Sequence, residues 1–314
     1  SEFNYVVNNF GHAPHWFMAD ANFGILPRDV EISKIIRELH DKTNAFDQIQ
    51  IYWTKNVTPK VYEISKNFGR LSQAYVALQS LDPEVLKLIK RSNISIERLN
   101  EFKDAVAEYT TATRTDILLG QPGETMTSHI ESFFGAMRLG FDYVGGGEIR
   151  LLPGSEMDEE KSRTSYGLKT KYRIGEGAIG FYRDELVFET EEVVRSTNWI
   201  SEEEMLKLRS IRAIAYTATS MGELSTLSAV MVKHNINLLR VSEFVIKENK
   251  DLDNELAELI NELAMLAKEE WFKTDEEAIT FYSKIAKKDN LEEISPVKLN
   301  LWVVGKLLKS QKLY

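Results

Sequence analysis

Several short stretches carry residues whose types and spacing suit ligand binding. Asp20-Ala21-Asn22-Phe23-Gly24 sets two short polar side chains on either side of one residue and closes with a glycine. Such a pair can hold an ammonium or a hydroxyl group, or simply satisfy a turn. Gln79 and Ser80 stand just before Asp82-Pro83, and Arg91 follows at the end of the next helical stretch. A guanidinium there can grip a carboxylate through two parallel hydrogen bonds, or close a helix as an ordinary cation. Gly120-Gln121-Pro122-Gly123-Glu124-Thr125 lets backbone approach a ligand closely. It is not a P-loop, because no Gly-Lys-Ser/Thr follows, and Glu124 equally suits the positive end of a helix. Gly145-Gly146-Gly147-Glu148 and Leu151-Leu152-Pro153-Gly154-Ser155 complete the set. Each consecutive glycine forfeits roughly 0.5–1 kcal/mol against alanine in regular structure. A flat ligand on bare backbone would offset that, as would a bulge or tight packing.

Other chemistries are poorly served. His12 and His15 lie three apart around a proline with no third ligand, and His40, His129 and His234 have no recognisable catalytic partner. Neither a nucleophile elbow nor a zincin motif is present, and the carboxylates are too scattered to nominate an acid/base pair. The absence of cysteine excludes disulfides, thiolate zinc sites, a cysteine nucleophile and any iron–sulfur cluster held by the chain's own thiolates.

The elements that must position these residues alternate in the front half. Strands are expected at His15 to Ala19, Gln48 to Trp53, Gln73 to Leu78, Thr115 to Leu119 and Tyr143 to Gly147, with room for a helix between successive strands. Pro27, Pro59 and Pro83 suit first helical turns, with Thr58 and Asp82 as N-caps. Repeated β-α units imply a parallel sheet with its ligand site at the C-terminal strand ends. The back half has few helix breakers. A small hairpin is expected within Tyr172 to Phe188, then helices with capping-box spacing at Ser201/Glu204 and Thr274/Glu277. The apolar stripe Leu252, Leu256, Leu259, Leu263 and Leu266 is expected to pack against the front domain.

At 314 residues the chain has length for about two domains. Its net charge of −9, with neither half basic, argues against a nucleic-acid partner. No apolar run reaches the ~18 residues of a membrane span, and the opening residues lack a signal peptide's character, so a cytoplasmic location is expected.

Taken in order, Ala19-Asp20-Ala21-Asn22-Phe23-Gly24, Leu78-Gln79-Ser80 with Lys90-Arg91, Leu119-Gly120-Gln121-Pro122-Gly123-Glu124-Thr125 and Leu151-Leu152-Pro153-Gly154-Ser155 resemble the core of radical S-adenosylmethionine enzymes. The likeness is to the branch that often carries an upstream cobalamin-binding domain. It implies an α/β fold over 4–157, a partial (β/α) barrel of the radical SAM type entered at its second strand, followed over 158–314 by a mainly helical region. By resemblance Asp20 and Asn22 approach the methionine amino group. Gln79 and Ser80 lie near the ribose and methionyl portions, and Arg91 pairs with the carboxylate. Gly120, Gly123, Glu124, Gly145, Gly146, Leu152 and Pro153 form the edge that accepts adenine.

The family's [4Fe–4S] cluster is held by three cysteines after the first strand. That strand and loop are expected upstream of the chain, which would make this a truncated piece of a longer protein. S-adenosylmethionine is therefore the expected cofactor here, with the [4Fe–4S] cluster belonging to the parent and cobalamin left open. The piece alone is expected not to generate a radical. The substrate, small molecule or peptide, is not legible. The alternatives are an unrelated α/β-barrel lyase, which would want a lysine at a strand end, and a non-catalytic interaction module using the Leu252 stripe.

Overall fold

The structure, a computed structural model, describes all residues except 1, 54–57, 108, 110–111, 221, 250–251, 253, 270, 295 and 310–314. In chain order it runs α1 (Glu2–Phe10), β1 (His15–Phe23), α2 (Pro27–Thr43), β2 (Gln48–Trp53), α3 (Pro59–Phe68), β3 (Ala74–Tyr75), α4 (Pro83–Leu88), α5 (Ile96–Ala107), β4 (Thr113–Asp116), α6 (Met126–Arg138), β5 (Tyr143–Gly145), α7 (Glu160–Tyr166), β6 (Lys169–Tyr182) and β7 (Glu185–Ser196). Helices follow: α8 (Glu202–Ser220), α9 (Gly222–Lys233), α10 (Leu238–Lys247), α11 (Asn254–Leu266), α12 (Asp275–Ile285), α13 (Leu291–Ile294) and α14 (Leu299–Lys309). This is a mixed α/β chain with a helical C-terminal region. It divides into two compact units, one of Ser1–Gln79, Ser92–Ile117 and Leu139–Gly145, the other of Ser80–Arg91, Leu118–Arg138 and Gly146–Tyr314.

In the first unit β1 pairs with β2 in parallel, from His15↔Gln48 to Met18↔Ile51. The alternation of β2 decides which face is covered. Ile49 and Ile51 are buried in a core with Phe23, Ile36, Phe46, Ile64 and Phe68, while Gln48 and Gln50 on the other face are exposed. Each such aliphatic or aromatic side chain contributes about 1.5–3 kcal/mol when buried. β3, β4 and β5 form a second parallel sheet.

A partial barrel is not established by these strands. The two sheets are small, and among the described residues one bridge, Ile49↔Ser72, joins β2 to the segment before β3. The expected strand Gln73 to Leu78 is regular over only two residues, and its pairing continues irregularly, Val76 N donating to Arg114 O at 3.0 Å and Gln79 N to Asp116 O at 2.9 Å. Leu78 N donates to Thr115 Oγ1 at 3.3 Å, and Gln79 turns left-handed at φ 69°. The fourth strand begins two residues before its expected start and ends at Asp116, and the fifth stops at Gly145.

In the second unit the expected hairpin is real but longer, spanning β6 and β7. Its two-residue turn is Arg183-Asp184, both left-handed at φ 49° and 69°, the backbone of a type I′ turn without the usual Asn-Gly. The leucine stripe corrects a second expectation: Leu259 and Leu263 of α11 are buried with Ala213 of α8 and Leu299 and Val303 of α14. Neighbouring C-terminal helices supply the apolar faces that the stripe needed.

The proline-started helices α2, α3 and α4 form as expected. Asp82 caps α4 by accepting from Glu84 N and Val85 N, and Ser201 and Glu204 bond reciprocally. Thr58 does not cap α3; its hydroxyl lies 3.5 Å from Gly24 O instead. Among the described residues no helix is long and apolar enough to cross a membrane.

Candidate functional site

In the second unit the turn that follows Leu119 is braced from within. Gly120 N and Gln121 N donate to Glu124 Oε2 at 2.6 and 3.3 Å, and His129 Nδ1 donates to Glu124 Oε1 at 2.8 Å. Both side chains are fully buried. Glu124 therefore holds its own turn, and His129, for which the sequence suggested no partner, has one. Its Nε2 has no hydrogen-bond partner. Gly120 and Gly123 are required by conformation and packing. Their φ values are +94° and +84°, and a Cβ would fall 2.9 Å from Met205 and 2.7 Å from Leu88.

Ser80 is also internal, accepting from Asp82 N at 3.1 Å and lying 3.4 Å from Ser132 Oγ. Arg91 lies just past α4, behind Lys90 at φ 53°, and its N donates to Leu86 O. Its guanidinium makes no hydrogen bond among the described residues. Lys90 pairs with Glu156, which ties this corner to the turn carrying the exposed Leu152 and Pro153. Gly146 sits at φ +118° with its carbonyl accepting from Arg212, while a Cβ on Gly147 would meet nothing within 4 Å. Arg91, Gly147, Leu152 and Pro153 thus leave backbone and one cation open to a ligand.

The first unit carries the other four. Asp20 Oδ1 accepts from Asn22 N at 2.9 Å, a local turn bond in the irregular part of β1, and Asn22 is exposed. Gln79 N donates to Asp116 O at 2.9 Å. A Cβ on Gly145 would stand 2.9 Å from Asp116 Oδ1. The other oxygen of Asp116 accepts from Tyr75 OH at 2.7 Å; burial first, then the Asp116 charge, push the tyrosine pKa well up.

Sequence reasoning missed the charged core of the second unit. Glu148 accepts from Arg195 Nη1 at 3.4 Å and pairs with Arg209 at 2.9 Å and with Arg173 at 4.0 Å. The guanidiniums of Arg195, Arg173 and Arg209 lie 4.0, 4.7 and 5.1 Å from the Trp271 ring centroid. Burial alone would raise the Glu148 pKa, but Arg209, Arg173, Arg195 and Arg212 outweigh it and hold the carboxyl at about 2. The signal was an arginine set among buried aliphatics, Arg173 before Ile174 and Arg195 after Val194.

No group of three or more His, Cys, Asp or Glu able to hold a metal occurs among the described residues. With no cysteine in the chain, the residues present do not fit an iron–sulfur cluster.

No family model matches the chain. It is 32% identical over 193 residues to a 2-(S-pantetheinyl)-carbapenam-3-carboxylate methyltransferase of Streptantibioticus cattleyicolor, covering 60% of this chain and 28% of that protein. It is 31% identical over 158 residues to the cobalamin-dependent radical SAM methyltransferase TokK of Streptomyces tokunonensis, covering 49% of this chain and 23% of that protein. The chain is a relative of the cobalamin-associated radical S-adenosylmethionine enzymes. It spans about a quarter of the length of these two curated relatives. A solved structure of the radical S-adenosylmethionine methyltransferase TsrM from Kitasatospora setae covers 61% of this chain and 41% of its own, at 15% identity and a TM-score of 0.41. That likeness is too slight to bear on the fold.

Proposed function

We propose that this chain is the S-adenosylmethionine- and substrate-binding part of a cobalamin-dependent radical methyltransferase. The observation that carries the reading is the sequence relationship over 193 residues to a methyltransferase, with TokK as a second relative. S-adenosylmethionine supplies methyl-transfer chemistry and, cleaved reductively at a [4Fe–4S] cluster, radical chemistry. The thiolates for that cluster would come from outside these residues, and this chain alone generates no radical.

In this reading the residues take the roles that the resemblance gives them. Arg91, whose guanidinium makes no hydrogen bond among the described residues, pairs with the methionyl carboxylate. Asn22 and Asp20 take the amino group, Asp20 while still holding its turn. Gln79 lies near the ribose, and the Gly145-Gly146 backbone with Leu152 and Pro153 accepts the adenine. Ser80, Gly120, Gly123 and Glu124 shape the neighbouring turn from inside, which their burial and packing support.

Calorimetric titration with S-adenosylhomocysteine tests the reading. Binding to the unaltered chain is expected, and Arg91→Ala should weaken it about tenfold or more, the loss of a charge-assisted pair. Absence of binding to the unaltered chain removes the S-adenosylmethionine reading. Equal affinity of the two proteins reassigns Arg91 alone.

A further inference from the structure

The first unit has an open pocket of about 110 Å³ at the N-terminal ends of β1 and β2, the ends opposite Asp20 and Asn22, with His15, Phe17, Gln48, Gln50 and Arg114 exposed around it. Phe17 and Tyr75 contribute aromatic surface to it, and His15, Gln48, Gln50, Gln73 and Arg114 contribute polar groups, while the neighbouring Trp16 turns its ring to Phe46 in the core. No carboxylate lines it, so Arg114 is its one fixed charge. The nearest acid to that guanidinium is Asp116, whose Oδ1 lies 4.0 Å from Nε. This is beyond hydrogen-bond reach, and the other Asp116 oxygen is engaged by Tyr75 OH. Among the described residues Arg114 makes no side-chain hydrogen bond, nor do the Gln48 and Gln50 amides.

An arginine fork and two amides, turned to solvent rather than bonded within the described residues, beside aromatic and aliphatic walls form a recognisable donor set. A single guanidinium matches a carboxylate in both charge and planar geometry. A phosphate would bring more charge than one arginine balances. We propose that this cavity is a second ligand site, which takes the carboxylate of a small molecule with a flat or apolar body. Arg114 grips the carboxylate, Gln48 and Gln50 donate to its oxygens, and Phe17 and Tyr75 flank the body. The site does not depend on the S-adenosylmethionine reading.

Benzoate is the probe, titrated into the full chain by calorimetry while the side-chain amide resonances of Gln48 and Gln50 are followed. Benzoate should bind and move those resonances, and benzamide, the same shape without charge, should bind at least about tenfold more weakly. Arg114→Gln should weaken benzoate by about ten- to a hundredfold, the range for hydrogen bonds to a charged group. Gln50→Leu, which leaves Arg114 in place, should cost severalfold and guards against a folding defect in the arginine variant. S-adenosylhomocysteine affinity should be the same in Arg114→Gln as in the unaltered chain, which separates this site from the earlier proposal. The proposal is overturned if benzoate does not bind, if benzamide equals it, if Arg114→Gln binds as before, or if the shifts fall elsewhere. Tighter binding of inorganic phosphate than of benzoate would also overturn it.

Discussion

The turn Gly120-Gln121-Pro122-Gly123-Glu124 and the strand pair carrying Tyr75 and Arg114 treat polar atoms in opposite ways. In the turn, both Glu124 oxygens are used inside the chain, by two backbone amides and by His129, and the two glycines are pressed by Leu88 and Met205. On the strands, Asp116 Oδ1 and the Arg114 guanidinium stand without hydrogen bonds. The turn spends its carboxylate on its own backbone, whereas the half-exposed Arg114 fork at the pocket is what the proposal above assigns to a ligand. Motif position alone would rank the two the other way, because the glycine turn looks like the ligand cradle.

Substitution should expose this contrast. The largest loss is expected at Glu148, in the same satisfied class as Glu124. Glu148→Gln leaves buried guanidiniums without their carboxylate and should cost roughly 3–5 kcal/mol in urea unfolding. The same residue sets an acid limit. Its pKa is lowered on folding from 4.5 to about 2, so its stabilisation is complete above pH 4.5 and drains away as pH falls towards 2. Unfolding free energies measured across that window should fall steeply in the unaltered chain and more gently in Glu148→Gln; parallel curves would show that the carboxylate is not so held.

A smaller loss is expected at Glu124→Leu, about 1–3 kcal/mol for stranding Gly120 N, Gln121 N and His129. Little change would show that water replaces the brace. The smallest effect should come from Arg114→Gln, within about 0.5 kcal/mol of the unaltered chain because the side chain supports no internal bond. A loss as large as that of Glu124→Leu would dissolve the contrast between the two regions.

Local chemistry was what the sequence made legible. Pro27, Pro59 and Pro83 marked helix starts, Asp82 and Ser201 marked caps, and the five parallel strands fell close to their expected places. What depended on distant partners was hidden. Nothing periodic joins Glu148 to Arg173, Arg195 and Arg209, and Arg183-Asp184 lacks the glycine that usually announces a hairpin turn. Thr58 had the right residue type for a cap but found Gly24 O instead. For the candidate site, residue type suggested ligand contact at Ser80 and Glu124, and the bonds both make within the turn depended on neighbours the sequence does not announce.

The two compact units are interleaved along the chain, which passes between them five times, at 79/80, 91/92, 117/118, 138/139 and 145/146. A protease cutting once cannot release either as an intact body, and neither can be expressed as one uninterrupted stretch of gene. Any attempt to study one in isolation must splice distant segments with artificial linkers. Circular permutation offers no escape, since joining the ends adds a sixth passage between the units and reopening the chain removes at most one, leaving at least five.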